Sequence, residues 1–587
     1  MLKKTALYFI LILFLLIVSV SYARTAFAEN EKNNIVGISV LQPTDEDLQE
    51  TAELVNASGG EWGYVTVVIQ ENDRDTGKWQ ELFDKLRRLH LIPLVRLATR
   101  PEGAHWRRPE GDDAGIWVDF LDSLHWVVKE RYVILFNEPN QGKEWGGRID
   151  AEQYAEVAFN FASKLKEKNN DFFVMLAGMD AASPSNPPSF EDEEIFIRKV
   201  FHLSPFIFNS IDGWASHSYP RGFVGSPSDT GRHSIRTYQW ELALLQKLGV
   251  EKKLPVFITE TGWPHILNEK LKIKNNKVQA VYYSPEKVGE YIRIAYENVW
   301  LRDDRVRAVT PFVFNYPASP FDAFSWKYSS GKGLYPSYFA VQSMKKIKGN
   351  PEQIHLLSVE KNNLGTLPLE LTTHSTYTFK ISLSNKGQSI IDAKDGYAFF
   401  VTEDVASAVS TFFSDFSDFE PFDNQTANFF VKTSDTQGTY HIKVVLSKDK
   451  KIIQDLFTWD FAVKGPPPLQ FGVQLFPHFT SNADTLEMQI FDQHEQLVFQ
   501  KKQLKIKEGY GIINEVHNVA LGERYRIVIL NPYYIPRQKH IVFRSRGNVV
   551  VFDKMLPLDF NQDGKFSFVD WLVLVRNPSL LQLWWVQ

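Results

Sequence analysis

The chain contains no cysteine among its 587 residues. That excludes disulfides, thiolate zinc sites, iron–sulfur clusters and a cysteine nucleophile. A strong excess of either charge is also missing: 65 basic residues against 70 acidic ones give a net charge of −5. With no basic surplus, no nucleic-acid partner is expected. Past the amino-terminal run, no apolar stretch is long enough to span a bilayer. No glycine-rich phosphate loop follows the first strand candidate, which argues against a doubly wound, nucleotide-binding sheet.

What is present describes a folded, multidomain chain. Hydrophobic residues make up 44% and charged residues 23%, too apolar for a disordered protein. The length allows roughly three to five domains. Aromatics reach 14%, with 15 Trp, 22 Tyr and 44 Phe. Lys3 and Lys4 precede an apolar run from Ala6 to Val20, and Ala26-Phe27-Ala28 places small residues at both positions of a signal-peptidase site. The expectation is a secretory signal over residues 1–28 and a secreted or cell-surface protein. An uncleaved amino-terminal anchor is the alternative.

Residues 33–350 alternate short apolar runs with helical patterns. The runs at 35–41, 64–69, 92–98, 133–136, 172–176, 213–217, 256–259 and 308–314 are eight strand candidates. Most are continuously apolar, as parallel strands covered on both faces are. Helical periodicity falls between them, for example at 79–89, 153–166, 238–248 and 285–300. Eight such units predict a (β/α)8 TIM barrel. Residues 351–464 show alternating runs without helices and predict a β-sandwich. Pro466-Pro467-Pro468 lies in a stiff linker at 465–468. A smaller β-rich domain is expected at 469–552, followed by a short EF-hand-like calcium loop within 553–587.

Active residues of such barrels sit at the carboxyl ends of the strands. The fourth strand ends Phe136-Asn137-Glu138-Pro139-Asn140 and the seventh ends Thr259-Glu260-Thr261-Gly262-Trp263-Pro264. Each delivers a carboxylate to the barrel mouth. A lone Glu at a strand end is usually a solvated loop residue; two on these two strands suggest a working pair. Asn137-Glu138-Pro139 and Glu260-Thr261-Gly262-Trp263-Pro264 resemble the motifs of clan A glycoside hydrolases, over roughly residues 35–345. That resemblance implies a retaining enzyme acting on a carbohydrate, with Glu138 as acid/base, Glu260 as nucleophile and no catalytic cofactor. It also implies that Asn137 reaches the sugar 2-hydroxyl and that Tyr219 orients the nucleophile. His217 and Tyr219 share one strand face by their spacing. Arg96 on the third strand sits either beneath the nucleophile or in a structural salt bridge.

Aromatic rings stack on the apolar faces of sugars. Trp106 follows the third strand, Trp145 the fourth, Trp263 the seventh and Trp326 the eighth, and Tyr316 ends the eighth. These five are the candidate substrate-binding rings, Trp326 being the expected platform beside the nucleophile. The alternatives to a hydrolase are a non-catalytic glycan-binding or surface protein on the same barrel, and a transglycosylase.

Near the carboxyl end, Asp559, Asn561, Asp563, Ser567 and Asp570 fall at positions one, three, five, nine and twelve of a calcium loop. Gly564 stands at the sharp turn, and Lys565 would contribute its carbonyl. The segment resembles a dockerin-type repeat with one loop instead of two. The resemblance implies bound Ca2+ and a cohesin-like or cell-surface partner.

Overall fold

The computed structural model describes residues 33–266, 282–331, 333–361, 367–402, 409–414, 418–478 and 481–584. The expected signal segment lies outside the described residues. Among the described residues no helix is long and apolar enough to cross a membrane. The chain divides into two compact units, 1–354 and 355–587.

The first unit is built on eight strands: β1 (Gly37–Ser39), β2 (Gly63–Gln70), β3 (Leu91–Ala98), β4 (Arg131–Leu135), β5 (Phe172–Leu176), β6 (Trp214–His217), β7 (Val256–Glu260) and β8 (Val306–Val309). β1 to β5 pair in parallel, and so do β6 to β8. Parallel bridges Met175–Gly213 and Val36–Val309 join the two groups at both seams. The eight parallel strands therefore follow one another around a closed ring. β8 is shorter than its apolar run, since Pro311 has no N–H to offer a ladder.

The helices start where the sequence supplies caps. Asp75, Asp150 and Ser284 accept hydrogen bonds from Lys78, Gln153 and Lys287 N–H, and so begin Thr76–Arg88, Ala151–Lys168 and Pro285–Asn298. Each cap is worth about 1 kcal/mol. Gly249, at φ +96°, ends Thr237–Leu248 in the left-handed turn that glycine adopts without strain. Much of the aromatic excess is core: Trp117, Trp126, Trp145, Trp214 and Trp300 are wholly buried. Tyr64, Tyr132, Phe173 and Phe257, from β2, β4, β5 and β7, form one cluster with centroids 5.0–6.4 Å apart. Burying each such ring contributes roughly 1.5–3 kcal/mol.

The second unit holds two four-stranded sheets over 357–464 and further sheets of three and four strands over 469–551. Each pair has its own apolar core. Residues 465–468 do not act as a free spacer. Pro467 O accepts from Val516 N–H, and Pro468 O from Asn548 Nδ2. The Tyr377 hydroxyl and Thr372 Oγ1 both reach Val519 O, and Ala520 packs in the first core. The two β modules are thus joined by hydrogen bonds on either side of the proline linker.

Candidate active site

The carboxyl ends of the strands bring Glu138, His217 and Glu260 together. One ligand atom from each lies within 4.8 Å of the others. Glu138 follows β4 in a tight backbone path, with φ +75° at Phe136 and φ +33° at Glu138 itself. Non-glycine residues seldom occupy this region, at a cost of about 1–3 kcal/mol each. The path is tied down by Glu138 N–H to Gly178 O at 3.1 Å and Gln141 N–H to Glu138 O at 2.8 Å.

The two carboxyl groups are held differently. Glu138 Oε1 lies 2.8 Å from His217 Nδ1, and its Oε2 accepts from Gln141 Nε2 at 2.8 Å. Burial raises the Glu138 pKa above the usual carboxylate range; His217 works to lower it, and the charges of Glu260 and Asp180 add to the rise. Glu260 Oε1 accepts from Arg96 Nη1 at 2.6 Å, and its Oε2 from the Tyr219 hydroxyl at 3.1 Å. The same Arg96 nitrogen donates to Asn137 Oδ1 at 2.5 Å, while Asn137 Nδ2 donates to Glu144 at 3.3 Å.

Burial lowers His217, yet the Glu260 charge and the hydrogen bond to Glu138 outweigh it, so the imidazole stands above its ordinary pKa. Burial, then the charges of Glu260 and Glu138, push Tyr219 well up, so its hydroxyl stays a donor. With Nδ1 committed to Glu138 and a guanidinium on Glu260, the cluster is wired as an ion-pair and hydrogen-bond network. Among the described residues it is the sole cluster of three or more His, Asp or Glu side chains at this spacing.

A cleft of about 930 Å³ opens beside Arg96, Asn137 and Tyr316 and runs past Trp106. Trp106 is half-buried on a short ribbon, Pro101–Glu102 paired with His105–Trp106. Arg107 anchors that ribbon by ion pairs to Glu71 and to Asp113, the latter at 2.6 Å. Charges in the cleft wall are paired: Lys78 with Asp73, and Lys85 with Asp45 and Glu81.

Three of the five expected sugar-stacking rings, Trp145, Trp263 and Trp326, are buried, Trp145 among the residues behind the cleft wall. Trp145 has no exposed surface; it is wedged between Phe136 and Tyr154 and donates to Gln153 at 2.8 Å. Trp263 is buried against Tyr291 and donates to Gly225 O. Trp326 is 4% exposed within the core, so it offers no platform. Their loops fold inward, and large apolar rings there seal the ends of the helices and strands. The exposed ring in the loop after β8 is Phe321, edge-on to Phe312 and Tyr316. Phe223, also exposed, packs on Tyr219 and Phe324.

The carboxyl-terminal loop is closed by side-chain oxygens that accept from nearby backbone amides. Asp559 Oδ1 and Oδ2 accept from Asp563 and Gly564 N–H at 3.0 and 2.9 Å, and Asn561 and Asp563 oxygens accept from amides two residues on. Gly564, at φ +84°, makes the turn. Burial, opposed by these amides, raises Asp559, and the charges of Asp570 and Asp563 raise it further. Asp570 is committed to the capping box of the helix Phe568–Arg576, and the three carboxylates do not converge to the 4.8 Å spacing of the barrel cluster. Asp559, Asn561 and Asp563 thus spend side-chain oxygens on amides of their own loop, while Asp570 spans the helix start at Ser567 and the Asn561 amide.

No family model matches the chain, and no curated protein matches it. Solved structures similar to it include the FMN-binding β-glucuronidase of Facaelibacterium prausnitzii L2-6, at 10% identity and TM-score 0.34, covering 74% of this chain and 57% of that one. The chain thus spans little more than half of that protein. A glucosidase of Croceicoccus marinus is similar at 11% identity and TM-score 0.37, over 83% of this chain and 94% of the other. A monomeric β-xylosidase of Caulobacter crescentus CB15 is similar at 12% identity and TM-score 0.36, over 85% and 97%.

Proposed function

We propose that the chain is a glycoside hydrolase that cleaves O-glycosidic bonds of a β-linked glycan with retention, on a (β/α)8 TIM barrel. The observation behind this reading is the approach of Glu138 and Glu260 to within 4.8 Å in opposed settings. Retaining enzymes hold their carboxyl groups roughly 5–5.5 Å apart, whereas inverting ones leave roughly 6.5–9.5 Å for a water. Glu138, whose pKa burial and the charges of Glu260 and Asp180 raise, is the general acid. Glu260, fixed by Arg96 and Tyr219, is the nucleophile.

In the first step Glu260 bonds to the anomeric carbon as the bond to the leaving oxygen breaks, and the Glu138 proton passes to that oxygen. In the second step Glu138 takes a proton from water, whose oxygen displaces Glu260. A sugar hydroxyl in place of that water would make the same chemistry a transglycosylation. Asn137 and Trp106, beside the cleft, are assigned to the 2-hydroxyl and to a ring face of the sugar. Both carboxylates stand intact and bonded, which favours an enzyme over a glycan-binding barrel.

The test is a panel of β-glucans, xylans, mannans and aryl β-glycosides, with the product anomer followed by NMR. Turnover with a retained anomer is expected. Glu260→Gln should lose on the order of 10⁴-fold in kcat without a shift in unfolding temperature. A Glu260→Gln protein as active as its parent would sink the assignment. Export through the amino-terminal run, Ca2+ at the carboxyl-terminal loop, and a cohesin-like or cell-surface partner docking there complete the proposal.

A further inference from the structure

Gln141, one turn beyond Glu138, is 7% exposed. Its amide nitrogen lies 2.8 Å from Glu138 Oε2 and 2.9 Å from Asp180 Oδ2. Two carboxyl oxygens around one amide position fix its orientation. An amide oxygen there would face two acceptors, so the NH2 group bridges them, one N–H to each.

Asp180 is held just as firmly. Its Oδ2 also accepts from Ser183 Oγ at 2.7 Å, and its Oδ1 from Ala182 N–H at 2.9 Å. Its backbone is doubly bonded to the wholly buried Asn140: Asp180 N–H to Asn140 Oδ1 at 3.0 Å, and Asn140 Nδ2 to Asp180 O at 2.9 Å. Asp180 also bridges His217 on β6 through its backbone.

We propose that Gln141 and Asp180 form a positioning clamp for the Glu138 carboxyl group, fixing its plane and aiming it at the leaving-group oxygen. The inference rests on the assignment of Glu138 as the general acid. The charged and titratable groups facing Glu138 are His217 from β6, Glu260 from β7 and Asp180 from the loop after β5, with Arg96 and Tyr219 reaching it through Glu260. Of these, Asp180 is the negative group that takes no part in bond making, and its charge favours the protonated acid.

Two measurements test the clamp. The first is a ¹³C NMR titration of the Glu138 carboxyl carbon, assigned by its loss in Glu138→Gln. In Asp180→Asn the charge that opposes ionisation is gone, so the Glu138 midpoint should move to lower pH. A midpoint that stays in place overturns the clamp. This readout needs no turnover, so a wild type inert toward every glycoside would refute the proposed function and leave the clamp to be decided by the titration. The second compares leaving groups. Gln141→Met should lower kcat/KM roughly 10–100-fold on glycosides whose leaving group needs a proton, within the range general acid catalysis supplies. Dinitrophenyl glycosides, which leave unprotonated, should change less than about 3-fold. An equal loss on both kinds of substrate would assign Gln141 a merely structural role and overturn the proposal.

Discussion

The barrel mouth and the carboxyl-terminal loop both gather acidic side chains, yet they hold them by opposite means. At the mouth the partners are far apart in sequence: Glu138 and His217 by 79 positions, Tyr219 and Glu260 by 41, Arg96 and Glu260 by 164. In the loop, Asp559 grips amides four and five residues on, and Asp570 amides three and nine residues back. The mouth is therefore set by tertiary packing and exists only when the ring of strands is complete. The loop is set by local turn chemistry.

The strongest way to break the first kind of site is from behind. Gly178 leaves the His217 ring no room for a neighbouring side chain: a Cβ there would lie 2.2 Å from the imidazole. Both groups are backed by core, so Gly178→Ala must push His217 toward Glu138. A displacement near 1 Å can cost about 10²-fold in rate, and overpacking about 1–3 kcal/mol in stability. Kinetics on an aryl β-glycoside, with thermal unfolding alongside, check both. A variant that keeps full activity would show that the mouth tolerates slack which these contacts deny it.

A second prediction separates rings that pack from rings that face the cleft. Trp326→Ala should destabilise the barrel by about 3–5 kcal/mol, as loss of a buried ring does. Trp106→Ala should leave unfolding nearly unchanged and raise KM several-fold, since a ring contact is worth about 0.5–1.5 kcal/mol. Melting curves and KM values for the two variants distinguish the two kinds of ring. A raised KM for Trp326→Ala at unaltered stability would reverse the assignment.

The same contrast explains what the sequence made legible. All eight strands were visible as apolar runs because both faces of each are covered, and β2, β3 and β5 begin and end within a residue of their runs. Glu138 and Glu260 could be read because each motif is contiguous with its strand. Gln141 and Asp180 could not. They meet because Asn140 pairs with the backbone of a loop 40 positions away, and no local pattern records that pairing. The tryptophans misled for a related reason: position in a loop at the catalytic end does not say which side of the loop faces the cleft. Trp145 satisfies its N–H on Gln153 and turns inward; Phe321 has no such partner to seek and stays at the rim. The triproline could be read as a stiff linker because proline stiffness is a local property; the contacts of Val516 and Asn548 that pin residues 467 and 468 are not local.

The last prediction isolates the loop. Asp559 is buried, and burial together with the charges of Asp563 and Asp570 raises its pKa above the ordinary carboxylate value. A divalent cation among these oxygens would remove that crowding and favour the ionised form. Binding at a hundred times its dissociation constant would stabilise the second unit by about 2.7 kcal/mol. Chelation should therefore lower the unfolding temperature of that unit by a few degrees, and Asp559→Asn should abolish the difference between chelated and calcium-loaded protein. Because the residues bonded to the Glu138 and Glu260 carboxyl groups belong to the first unit, hydrolysis of small aryl glycosides should not change. The sign of the pH dependence follows from the raised Asp559. With the cation absent, its folded pKa exceeds the unfolded one, so its contribution to stability is greatest at low pH and is lost as pH rises through the folded value. With calcium bound the trend should reverse, stability rising with pH as the ligands ionise. Identical pH profiles with and without calcium would mean that the loop closes on its own amides and needs no ion.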